Sequence, residues 1–116
     1  MLIFLDTEFT DFIDCELISI GLVSEDGQHA FYAEVEDFDR AKCIPYVQSG
    51  IWPLLGKIPD AIMKRAELAQ RLRTWFTGLP CSVTIACDSY TVGSCWLMCS
   101  MAICRRRLPG AMIYAH

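Results

Sequence analysis

The residue pattern predicts an α/β domain built on a mixed sheet: three antiparallel strands, a helix, and a fourth strand parallel to the first, incomplete at the C-terminus. Three observations predict it. Apolar runs of strand length stand at Leu2–Leu5, Leu17–Val23 and His29–Val35, the last two joined by a short turn. The segment opened by Pro59-Asp60 repeats apolar residues at helical spacing. A β-branched run, Ser82–Cys87, follows it, and a strand reached through a helix returns parallel.

Each element has a local cause. Leu2–Leu5 is apolar without interruption and ends in acids, which suits a strand buried on both faces at the sheet centre. Ser24-Glu25-Asp26-Gly27 is a hairpin turn between the second strand and the alternating third. Glu36–Lys42 is a polar loop, and Pro45–Leu55 is irregular and short-helical, broken by Gly50 and Pro53. In the helix, Ile62, Ala66, Ala69, Leu72 and Trp75-Phe76 form the apolar stripe, while Lys64, Arg65, Glu67, Arg71 and Arg73 take the other face. Gly78-Leu79-Pro80 stops it, and the fourth strand emerges at Asp88-Ser89-Tyr90-Thr91. In such a sheet the carboxyl ends of neighbouring parallel strands open on one crevice, so Asp6-Thr7-Glu8 and Asp88 are expected near one another.

Composition narrows the class. With 116 residues, 53% of them hydrophobic and 21% charged, the chain carries one core and is not disordered. The net charge is −4, but Arg105, Arg106 and Arg107 supply three of the ten basic groups. Residues 1–91 therefore hold 7 basic against 14 acidic groups, or −7. No basic stripe is visible, so any grip on phosphate must be local, most simply through cations held by carboxylates. The seven cysteines, Cys15, Cys43, Cys81, Cys87, Cys95, Cys99 and Cys104, are odd in number and lack a Cys-x-x-Cys pair. That spacing argues against a disulfide framework or zinc ribbon; Cys95 and Cys99, one helical turn apart, could share a metal but read first as buried thiols. The N-terminus lacks the basic region of a signal peptide, so a reduced, cytoplasmic setting is expected.

Asp6 and Glu8 are two apart. If the first strand persists through them, both carboxylates leave one face and can hold a hard cation. Spacing alone is weak evidence, because acids commonly mark strand ends. The surrounding text says more. Phe4-Leu5-Asp6-Thr7-Glu8-Phe9-Thr10, followed by Glu16-Leu17-Ile18-Ser19-Ile20-Gly21-Leu22-Val23-Ser24-Glu25-Asp26-Gly27, resembles the opening of the DEDD superfamily of 3′–5′ exonucleases. It looks most like the small bacterial, mycobacterial-type 3′–5′ exoribonuclease domain. The likeness runs from residue 2 to about 91, with Ile85–Thr91 falling where that family approaches its second motif.

The resemblance implies a ribonuclease-H-like sheet and two-metal hydrolysis with Mg2+ or Mn2+ at the 3′ end of RNA or single-stranded DNA. By it, Asp6 bridges both cations and Glu8 holds one while orienting the attacking water. Phe9 and Thr10 would line the terminal-nucleotide pocket, a ring to stack on and a hydroxyl for the sugar; on their own they read as a core ring and a loop hydroxyl. Members of the family are often homodimers. They also carry a second-motif Asp on the helix after the fourth strand, a later His or Tyr as general base, and a fourth Asp. Here Val92-Gly93-Ser94-Cys95-Trp96-Leu97 stands at the second motif, and no acidic residue follows Asp88, which sits early for a ligand and is the weak third candidate. His29 and His116 lack the surroundings of a catalytic base.

Residues 92–116 read as an aberrant Cys-, Met- and Arg-rich tail. Back-translated one base earlier, Met98–Leu108 permits Asp-Val-Leu-Asp-Gly-Asp-Leu-Pro-Pro-Pro-Leu, ordinary protein text. Pro109–Ala115 likewise permits Thr-Gly-Arg-Asp-Asp-Leu-Arg, whose Asp-Leu-Arg resembles a later step of the family. A slip of frame near residues 91–95 is therefore expected, leaving 1–91 as the N-terminal part of an exonuclease domain that is inactive in this form. The competing expectation is a genuine tail on a non-catalytic binding or membrane-associated fragment. Val92–Ile103, about twelve residues, is too short to span a bilayer, though the arginines after it suit a surface anchor.

Overall fold

The computed structural model describes residues 1–11, 16–80, 82–87 and 113–115. Strands β1 (Leu2–Phe9), β2 (Leu17–Ser24) and β3 (Ala30–Val35) open the chain. Helix α1 (Pro45–Gly50), the two-residue strand β4 (Ile62–Met63), helix α2 (Arg65–Thr77), and strands β5 (Thr84–Cys87) and β6 (Ile113–Ala115) follow. They form an α/β fold on one six-stranded mixed sheet in the order β4-β3-β2-β1-β5-β6. β1 is central: it pairs antiparallel with β2, from Ile3↔Ser24 to Phe9↔Leu17, and parallel with β5, from Leu2↔Thr84 to Leu5↔Cys87. The expected three antiparallel strands, intervening helix and parallel return strand are all present.

The open turn behaves as its residues dictate. The Ser24 hydroxyl donates to Asp26 at 2.6 Å, Asp26 accepts from the Gln28 amide at 3.0 Å, and Gly27 takes φ 73°, where a Cβ is strained. These bonds delay the third strand to Ala30, one residue past His29.

The helix differs from expectation in its start and its stripe. Pro59–Ala61 is a 3-10 turn, and Ile62–Met63 leaves the helical path to pair parallel with Glu34 and Val35. α2 begins only at Arg65, whose amide donates to Asp37 at 2.9 Å. The buried stripe is Leu68, Leu72 and Phe76, at i, i+4 and i+8; Ala66 is exposed, and Ile62 is an edge-strand residue. The edge of β3 offered backbone partners that a helical start at Pro59 would have left unpaired.

The core lies on one face. Ile3, Leu5, Ile20, Leu22, Ala33, Val35 and Ile85 pack with Leu68, Leu72 and Phe76 of α2. Each fully buried leucine or isoleucine contributes about 1.5–3 kcal/mol relative to exposure. The opposite face is open at Phe4 and Tyr32, 46% and 42% exposed, whereas Ser19 and Glu34 farther along it are buried. No described helix is long and apolar enough to cross a membrane. Residues 88–112 lie outside the described residues, including Asp88, Cys95 and Cys99 and the expected site of the frame slip. Ile113–Ala115, counted with the tail in the sequence, pairs with Ile85–Cys87 at the sheet edge.

Candidate functional site

β1 runs on through the acids rather than stopping at Leu5, so Asp6 and Glu8 project from the same face, opposite the one on which Ile3 and Leu5 are buried. Asp6 is exposed and Glu8 half-buried. A register shift between Glu8 and Phe9 ends the regular ladder just beyond them.

Cross-strand pairing defines their neighbours. Asp6 lies opposite Gly21, and Gly21 opposite Tyr32. Glu8 lies opposite Ser19, and Ser19 opposite Glu34. Gly21 leaves room in the first row: a Cβ there would stand 3.8 Å from Cδ1 of Tyr32 and 4.0 Å from the Asp6 carbonyl oxygen. The tyrosine ring thus lies across the glycine. Phe4, Asp6, Gly21, Val23, Tyr32 and Ala86 help to line a groove of about 610 Å³ along this face.

The second row is a hydrogen-bonded unit that the sequence alone does not reveal. Glu34, 4% exposed, accepts from the Tyr32 hydroxyl at 2.9 Å and from the Gly56 amide at 2.9 Å. Burial, the bond to Glu34, and the nearby charges of Glu34 and Glu8, in that order, push the Tyr32 phenol up to about 12. A glutamate in an alternating strand reads as solvent-facing. The missed signal was that Ala30, Tyr32 and Glu34 share a face with Asp6 and Glu8.

The remaining candidates are placed differently. Phe9 is half-buried against the core. Thr10 is 0% exposed; its amide donates to the Glu16 carbonyl at 2.9 Å and its hydroxyl oxygen accepts from the Glu16 amide at 3.1 Å, closing the connection between β1 and β2. β5 ends at Cys87, partner of Leu5, and Asp88 follows outside the described residues. Among the described residues no three His, Cys, Asp or Glu side chains converge as a metal-binding group. Neither protein-family models nor curated proteins match this chain.

Proposed function

We propose that this chain is the front part of a metal-dependent 3′–5′ exonuclease domain, acting by ancestry on RNA or single-stranded DNA 3′ ends, and that by itself it binds without hydrolysing. The observation that carries the reading is the projection of Asp6 and Glu8 from one face of the central strand, beside a parallel neighbour. In open α/β sheets that is where ligands collect. The reading takes the sheet as ribonuclease-H-like and the setting as cytoplasmic; Cys43, buried and unpaired, suits reducing conditions.

Two carboxylates are hard oxygen donors suited to Mg2+ or Mn2+. They fit the first half of a two-metal centre only, because no third donor converges among the described residues and no acid follows Asp88. A bound cation would supply charge neutralisation for a terminal phosphate. Asp6 and Glu8 would hold it, Phe9 offers a partly exposed ring to a base, and Thr10 braces the loop beyond. No hydrolytic step follows from this donor set.

Titration with Mn2+, followed by electron paramagnetic resonance, tests the reading. One weakly bound ion is expected in the wild-type chain, lost in Asp6→Asn and Glu8→Gln, with no trimming of a 3′-labelled oligonucleotide. Unchanged manganese binding in both variants would refute the site. Manganese-dependent trimming that disappears in Asp6→Asn would refute the inactivity.

A further inference from the structure

On the preceding reading a nucleic acid strand meets an acidic body whose own basic groups are few. Lys64, Arg65, Arg71 and Arg73 belong to the start and body of α2, which packs on the face away from Asp6 and Glu8. Arg71 is paired with Glu67 at 3.0 Å, and Nε of Arg73 donates to the Ala69 carbonyl at 3.2 Å.

Arg40 is different. It opens the 3-10 turn Arg40–Lys42, and its guanidinium carbon stands 4.8 Å from the centroid of the Phe38 ring and 5.5 Å from that of Trp52. The nearest acids in sequence are committed to the backbone: Asp39 accepts from the Ala41 amide at 3.0 Å, and Asp37 from the Arg65 amide at 2.9 Å. Arg40 makes no ion pair with a described carboxylate. Two rings therefore orient a cation whose N–H fork keeps its donors for solvent or a ligand.

The turn also has an address. The Ile44 amide donates to the Thr10 carbonyl at 3.1 Å, and Lys42 stands 3.9 Å from Glu16, so the segment is bonded to the end of β1, just past Asp6 and Glu8. We propose that Arg40 is a phosphodiester clamp for single-stranded nucleic acid, holding the backbone upstream of a 3′ end directed at Asp6 and Glu8. This rests on the preceding reading of the site. A guanidinium fork matches a phosphate bidentately, whereas an ammonium on a flexible stem does not, and the neighbouring rings limit the side-chain freedom lost on binding.

Fluorescence anisotropy with a labelled oligouridylate, without divalent metal and across a salt series, tests the clamp. Arg40→Gln should weaken binding about tenfold and reduce the slope of log K against log salt by about 0.7. Arg40→Lys should keep the slope and still lose affinity. Arg40→Gln gives up the ring contacts, about 0.5–1 kcal/mol at an exposed site, so a small fall in melting temperature is expected and binding is compared well below it. An unchanged slope and affinity in Arg40→Gln overturns the clamp while leaving the manganese result at Asp6 untouched, and absence of oligonucleotide binding by the wild-type chain overturns it whatever manganese does. If manganese binding fails at Asp6 but the slope still falls in Arg40→Gln, Arg40 is a phosphate contact, and the direction of a 3′ end towards Asp6 and Glu8 is overturned together with the exonuclease reading.

Discussion

The Tyr32–Glu34 unit makes the sharpest prediction on the open face. Tyr32 holds its proton to about 12 against an ordinary 10.0, a gap of about two units, or about 2.7 kcal/mol before solvent screening. Because the residue is 42% exposed, screening brings the stability at stake to about 1 kcal/mol. The sign follows from linkage: the folded state keeps the proton more tightly than the unfolded chain, so this contribution is complete below pH 10 and is lost as pH rises from 10 to 12. Glu34→Gln keeps the shape and leaves an acyl oxygen for the Gly56 amide, so that bond becomes neutral, but its amide nitrogen then faces the Tyr32 hydroxyl and can only donate to it, so the tyrosine proton loses its acceptor. That loss, partly offset by relief of a buried carboxylate's desolvation, should cost about 1 kcal/mol at neutral pH. The Tyr32 titration should move down towards 10.0 without reaching it, because burial and the Glu8 charge persist. The chain has four tyrosines, so the assay is an ultraviolet phenolate titration of each protein with and without Tyr32→Phe, paired with urea melts at neutral and alkaline pH. A Tyr32 that titrates at the ordinary value in the wild-type chain, or that ignores Glu34→Gln, refutes the coupling.

Two further substitutions test the frame that holds the site. Leu72 is 0% exposed between α2 and the sheet, so Leu72→Ala should destabilise the chain by about 2–5 kcal/mol in denaturant melts. A cost under about 1 kcal/mol would mean that α2 does not cover this face as described. Gly27 meets nothing within 4 Å of a built Cβ, yet its φ is +73°. Gly27→Ala should therefore cost about 1 kcal/mol from backbone strain alone. Gly50, equally open and at ordinary φ, should tolerate alanine with no loss in the same melts.

How far the sequence predicted this fold depended on how local the cause was. The β2–β3 turn, the strand patterns and the Gly78 stop were legible because each rests on neighbours in the chain. The start of α2 was not, because Ile62 and Met63 are held by Glu34 and Val35, 28 residues earlier, and no periodicity records a partner at that distance. The same distinction governs the site. Asp6 and Glu8 were legible because two-residue spacing in a strand puts side chains on one face, and β1 does persist through both.

Glu34 was hidden by the same rule. One of its partners is Gly56, 22 residues later, whose amide meets the carboxylate from a different loop. Arg40 was hidden for a related reason, since its second ring, Trp52, lies beyond α1. Thr10 illustrates the converse. A hydroxyl beside a candidate carboxylate pair invites a ligand role, but the backbone of Glu16 already uses it to close the loop. A buried hydroxyl that satisfies a main-chain amide gains little by turning towards a sugar, because the amide would be left without its acceptor. Asp6 is exposed and Glu8 half-buried on the face opposite the core, and Arg40 is exposed on the turn tied to the end of β1. The proposed cation site needs the acids on the strand and the proposed phosphate contact needs the base at the turn, and the manganese and salt-series experiments test the two separately.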